Sequence, residues 1–174
     1  MGWRTAFLTQ ARSDFDMLRL FVPDHEDDEK FVKRYNIPEC HKLHYLQMCA
    51  EKLAKGFLTD EETKPLTIHR ALVRFIQAAK LHKGLMKACN YQNVNFFQKY
   101  LKSLIEIAET VEDLVPLGAA ERLKPEYPWY DSLSNTIVIP AICNYGQRDR
   151  RLNFKDPKMM KLMNFIQACF QMIE

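Results

Sequence analysis

Three features of this chain predict an all-α fold, an antiparallel bundle of four long helices closed by a C-terminal helix. Apolar residues recur at spacings of three and four over most of the sequence, the period of helices with one buried face. The eight prolines fall between those periodic segments or at their starts, where helix sterics tolerate them. Glycine is scarce, five in 174 residues, which argues against a loop-rich β fold.

The first helix is predicted from about Trp3 to Phe21, with a stripe of Trp3, Phe7, Ala11, Phe15, Leu18 and Phe21 or Val22. An acidic run follows (Asp24, Glu26, Asp27, Asp28, Glu29) and reads as a solvated loop, because like charges repel and hydrate. The second helix opens near Pro38 and ends around Gly56 to Leu58, burying Leu43, Leu46, Ala50, Leu53, Ala54 and Phe57. Thr63 or Thr67 can cap the third, which carries Leu72, Phe75, Ile76 and Ala79 and stops near Gly84. The fourth and longest is expected from about Tyr91 to Leu114, with Phe96, Phe97, Tyr100, Leu101, Leu104, Ile105, Ala108 and Val111 on a broad apolar face.

Past Pro116 the character changes. Residues 116 to 156 hold four prolines and the segment Glu126-Tyr127-Pro128-Trp129-Tyr130. The region reads as an irregular Pro-rich flap clipped onto the bundle by Tyr127, Trp129 and Ile137, with at most one short strand or hairpin at Thr136 to Ile139. Pro157 then opens a last helix, Lys158 to Ile173, whose wide apolar face suits central burial. The chain is expected to be one domain: a core over 3–114, a flap over 115–156 and a closing helix over 157–173.

Composition narrows the function. With 47% hydrophobic and 27% charged residues, the balance is that of a soluble globular protein. A formal net charge of +3 is too mild to imply a nucleic-acid partner by itself. No run of eighteen apolar residues spans a bilayer, and the N-terminus lacks the apolar core of a signal peptide. Five cysteines with no CxxC pair fit reduced thiols, so a cytoplasmic protein is expected.

The second helix is the most informative stretch. His41, His44, Glu51, Lys52 and Lys55 ride on the turns that carry its buried stripe. His44 and Glu51 are two turns apart and share a face. They can form a polar layer, with His44 bonded to a neighbouring helix and Glu51 paired to Lys55 at i,i+4. Glu51 and Lys55 can instead meet Asp14 or Arg12 of the first helix. A sharper alternative is a ligand pocket lined by His44, Tyr45, Glu51 and Lys55. Cys40, His41 and His44 could place a thiolate and two imidazoles within one turn, but no CxxC or HExxH spacing supplies a fourth zinc ligand; no metal or cofactor is expected. Gly-rich phosphate loops, GxSxG elbows and paired-carboxylate motifs do not occur.

In the same helix, Gln47-Met48-Cys49-Ala50-Glu51-Lys52-Leu53-Ala54-Lys55 resembles the "Q.aaEKalKa" segment of the HEPN (higher eukaryotes and prokaryotes nucleotide-binding) superfamily. The first helix (QARSDFDMLRLF) and Thr67-Ile68-His69 with Leu72 are similar to that superfamily's flanking signatures, in the same order. The resemblance covers about residues 3 to 114. It implies either a metal-independent endoribonuclease completed across a homodimer, as in bacterial toxin and defence systems, or a non-catalytic nucleotide-binding, dimerising or scaffolding module. The nuclease form uses an Arg followed after four to six residues by a His. The imidazole moves the proton at the 2′-hydroxyl and the guanidinium steadies the growing phosphate charge. Arg34 and His41 satisfy that spacing, as do Arg19 and His25. The superfamily places its motif downstream of the EKLAK segment, where this chain has only His69 and His82, neither with a suitably spaced Arg.

A basic run near the C-terminus offers another interface. Arg148, Arg150, Arg151, Lys155, Lys158 and Lys161 are interleaved with Tyr145 and Phe154, the mixture that holds a phosphate backbone and stacks a base. Solvated loops also look like this. The favoured reading is a HEPN-like binding and assembly module working as a homodimer or with a partner protein, RNA being one candidate. A ribonuclease and a nucleotide or small-molecule binder are the alternatives.

Overall fold

A computed structural model describes residues 2–22, 37–62, 70–114, 128–131 and 134–173, with backbone alone for Trp129, Tyr130 and Asp131. The expected all-α bundle with a closing C-terminal helix is what it shows. Helix α1 is Trp3–Phe21 and α2 is Glu39–Leu58, close to the bounds their stripes predict. Ala11, Phe15 and Leu18 of α1 are buried, as are Leu43, Leu46, Ala50, Leu53 and Ala54 of α2. The two run antiparallel: Leu8 meets Gly56, Asp14 meets Lys52, and the rings of Phe21 and Tyr45 lie 5.5 Å apart. No side chain at Gly2 caps α1. Glu61, just past α2, supplies the missing acceptors: its carbonyl takes the Trp3 N–H at 3.1 Å, and its carboxylate takes the Thr5 hydroxyl at 2.6 Å. A carboxylate at a helix N-terminus also complements the dipole there.

The predicted third helix is shorter than its pattern suggests. Helix α3 covers Ala71–Ala78, a 3-10 turn η1 follows over Ala79–Leu81, and a separate α4 occupies Lys83–Ala88. The break comes at His82, which leaves the helical region (ψ 98°) and accepts the Leu85 N–H on Nδ1 at 3.1 Å, capping a new helix that contains Gly84. Thr63 and Thr67, the expected caps of the third helix, lie outside the described residues.

Helix α5, Val94–Glu112, begins three residues later than expected because Asn93 caps it, its side-chain oxygen accepting from Asn95 and Phe96 N–H groups. Its buried face holds Phe97, Leu101, Leu104, Ile107, Ala108 and Val111, whereas Phe96, expected on that face, is 61% exposed. Glu112, at the end of α5, caps α3 from outside: its Oε1 accepts the Leu72 N–H at 2.6 Å. With the ion pairs of Arg70 to Glu109 and Asp113, this contact sets α3 antiparallel to α5.

The flap contains a two-stranded antiparallel hairpin, β1 (Trp129–Asp131) with β2 (Thr136–Val138), then a 3-10 turn η2 (Pro140–Ile142), a short helix α6 (Tyr145–Arg148) and a 3-10 turn η3 (Arg150–Leu152). Its anchors differ from the expected ones. Ile137 is 71% exposed and clips nothing, while Tyr127 and the Trp129 side chain lie outside the described residues. Val138, Tyr145 and Leu152 enter the core instead, and the Tyr145 N–H donates to Glu39 Oε2 at 2.9 Å, tying the flap to the start of α2. Ile137 and Val138 are neighbours on a strand, so one must face out. Helix α7, Pro157–Ile173, closes the bundle antiparallel to α5 through Tyr100 to Lys161 and Glu106 to Lys158. Its wide apolar face is buried: Phe165 packs on Phe75 and Tyr100, and Phe170 on Phe15.

Candidate functional site

The titratable residues of α2 are largely used within the fold. Asp14 is buried, and Lys52 reaches it at 2.6 Å while Gln10 of α1 donates to it at 3.3 Å. The cross-helix partner is therefore Lys52, not Glu51 or Lys55. Those two form the i,i+4 pair read from the sequence, at 2.5 Å, and Lys55 also sits 5.9 Å from the Phe7 ring centroid. His44 is half-buried with its imidazole edge-on to Tyr45 at 5.7 Å, and Tyr45 packs on Phe21 of α1. None of His44, Tyr45, Glu51 or Lys55 lines the groove that lies between α3–η1 and α5. His41 is exposed on the first turn of α2, while Arg34, its candidate partner, lies outside the described residues, as does His25, the candidate partner of Arg19.

The thiols are unpaired, as their scattered positions predict. Burial pushes all five up, Cys89 to about 11, which disfavours the thiolate a nucleophile needs. At Cys143 the neighbouring Arg148 opposes that rise. Among the described residues no three His, Cys, Asp or Glu side chains converge to hold a metal ion, and no helix is long and apolar enough to cross a membrane.

The basic run is partly neutralised by carboxylates. Arg151 makes a two-pronged pair with Asp149, with Nη2 2.6 Å and Nε 2.9 Å from its oxygens, and reaches Glu106 at 3.5 Å. Lys158 binds the other oxygen of Glu106 at 2.5 Å, and Arg150 lies 3.9 Å from Asp156. The Lys158 hydrogen bond holds Glu106 below the usual carboxylate range. Arg148 is exposed but engages Cys143, and Lys155 is exposed beside these pairs, so the run is a mixed-charge surface and not a continuous cationic one.

A groove of about 910 Å³ between α3–η1 and α5 was not singled out by sequence. Its floor is the partly exposed Ile105 over the buried Ile76 and Leu101, and Gln77, Asn95 and Gln98 add amides. Lys80, Lys99 and Lys102 stand on its walls, with Glu106 and Glu109 at the other end. Phe96 is not part of the lining, but the Lys99 ammonium lies 5.8 Å from its ring centroid. Asn95, Gln98, Lys102, Ile105 and Glu109 are spaced by three and four, so one line of α5 runs the length of the groove. The sequence assigned Ile105 of this line to the apolar face of the fourth helix, and nothing local showed that a second wall stood beside it. An apolar floor with a few polar groups on its walls is the general form of a ligand or peptide site.

No protein-family model matches this chain, and no curated protein or solved structure matches it either.

Proposed function

We propose that the chain is a non-catalytic helical binding and assembly module of the HEPN-like kind that its first three helices resemble, serving a bacterial defence or toxin–antitoxin system. The observation that carries the binding role is the groove beside α5, where three amides and three lysines on rigid helices surround the partly exposed Ile105. The engagement of Lys52 with Asp14 and of Lys55 with Glu51 supports it, since these α2 groups have structural work within the bundle. A site built on helices also holds its groups more firmly than one built on loops.

The test is incubation of a mixed pool of tRNA and single-stranded RNA with the protein in excess EDTA, beside folded His41→Ala, His44→Ala and Arg34→Ala variants. The expected result is no cleavage above the buffer control. Metal-independent cleavage by the wild type, abolished in a folded Arg34 or His41 variant, would overturn the proposal in favour of a ribonuclease.

A further inference from the structure

Resting on that binding-module reading, we propose that the groove between α3–η1 and α5 docks an amphipathic helix of a partner protein, one with an apolar stripe flanked by carboxylates. Shape is the first argument. From Asn95 to Glu109 the α5 wall runs about fourteen residues, roughly 21 Å at about 1.5 Å per residue, the length of a four-turn helix. Ile105 is partly exposed on the floor above the covered Ile76 and Leu101, and with the aliphatic stems of the flanking lysines it gives the apolar side of a visiting helix a place to rest.

Charge commits the occupant. Among the described residues Lys80, Lys99 and Lys102 have no carboxylate within ion-pairing distance, whereas Glu106 is held by Lys158 and Arg151, and Glu109 by Arg70. The unbalanced charge of the groove is therefore positive and concentrated toward the start of α5. Carboxylates on a partner would balance it and steer its approach. A nucleic-acid strand fits less well, because a phosphate backbone running the full length must pass Glu106 and Glu109. A peptide can place neutral side chains at that end. Exposed Phe96 lies outside the lining, beside Lys99, and offers apolar surface next to the lysine end.

The probe is a fluorescein-labelled synthetic helix of about sixteen residues, with leucines at three-four spacing, glutamates flanking its first two turns and glutamines flanking the rest. Controls are its scrambled sequence, a version with lysine for glutamate, and a uridine RNA of about twelve nucleotides. Fluorescence anisotropy is read at about 50 and about 300 mM salt against wild type, a Lys80→Glu/Lys99→Glu/Lys102→Glu variant, and Phe96→Ser. All of these substitutions are at exposed positions, and folding is checked by circular dichroism. Expected are binding of the striped acidic helix about tenfold tighter than either peptide control, a loss of about tenfold in the triple variant, and weakening by Phe96→Ser and by salt. Equal binding of the scrambled peptide, indifference to the triple variant, or no binding at all would overturn the proposal. RNA bound in place of the peptide and lost in the triple variant would also overturn it, assigning the groove to nucleic acid. Cleavage in EDTA is read separately, so failure here and failure of the non-catalytic reading are distinguishable.

Discussion

Replacing Glu112 by Gln should favour the protein progressively more, relative to wild type, as the pH rises from mild acid to alkaline. The carboxyl accepts the Leu72 N–H through Oε1, while Oε2 is buried without a hydrogen-bond partner among the described residues. Burial pushes its pKa up from 4.5 to about 7, against the opposing pull of the Leu72 and Val73 amides and of Arg70, with Glu51 adding to the rise. Because the folded state holds the proton more tightly than the unfolded chain, stability contributed by this group is complete below pH 4.5. It is lost as pH rises through the interval to about 7. At about 1.4 kcal/mol per pH unit, that interval sets a ceiling of roughly 3 kcal/mol; partial exposure and solvent screening reduce the expected cost to about 1–2 kcal/mol. Gln keeps the carbonyl acceptor and cannot ionise, so it escapes this cost. The difference in melting temperature between Glu112→Gln and wild type should therefore move by about 3–6 °C in favour of the variant between about pH 4.5 and about pH 8.5. The variant's uncharged amide adds a constant offset that cancels between the two pH values. A difference independent of pH, or one that turns against Gln as pH rises, would refute the argument by showing that the amides of α3 and Arg70 outweigh desolvation.

Lys52→Met should cost about 2–4 kcal/mol in urea unfolding, because it strands the buried Asp14 carboxylate, and Asp14→Leu added to it should recover most of the loss. A single variant within about 0.5 kcal/mol of wild type would show that the pair adds little. Tyr145→Ala should cost about 3–5 kcal/mol and open the flap to protease, since the ring is fully buried; Ile137→Ser, at a 71% exposed position, should stay within about 0.5 kcal/mol. The reverse ranking would restore Ile137 as the clip. Gly56→Ala would place a Cβ 2.5 Å from Leu8 Cδ2, so the usual gain in helix propensity of about 1 kcal/mol should become a net loss of about 1–2 kcal/mol. Truncating the obstacle with Leu8→Ala should make the effect of Gly56→Ala favourable, and thermal melts of the four proteins in that cycle decide it.

The helices that sequence placed best are those whose ends depend on local chemistry. Pro157 opens α7, and the stripe of α1 stops where its helix does, because both signals sit within a turn of the boundary they mark. The third helix broke where the pattern offered little warning. Ala79-Lys80-Leu81 carries no strong breaker, and the interruption depends on the His82 side chain turning back onto the Leu85 amide. Capping of α1 by Glu61 and of α3 by Glu112 joins residues 56 and 40 positions apart, a relation that no window of a single helix contains. Phe96 illustrates the complementary error. It lies at a helical spacing from Tyr100, but periodicity reports an apolar residue and not whether a neighbouring element covers it.

The same distinction governs the site. A lysine is a binding group only while no carboxylate in the fold has claimed it, so local charge is a property of neighbours. Along the sequence, Arg148 to Lys158 is the densest basic stretch, and Lys80, Lys99 and Lys102 are scattered over two separate elements. Folding reverses their rank. Glu106 lies 45 residues from Arg151 and 52 from Lys158, and by engaging both it removes them from the free charge of the surface while spending its own. Arg70 does the same for Glu109. What remains uncompensated in the groove is the scattered set, which the antiparallel pairing of α3 and α5 brings onto facing walls. The Glu51–Lys55 pair was recoverable from the sequence because one helix contains both partners. The choice of Lys52 over Lys55 as the partner of Asp14 was not, because the two lysines are separated by about 60° around α2 and only the crossing of α1 decides which one reaches it.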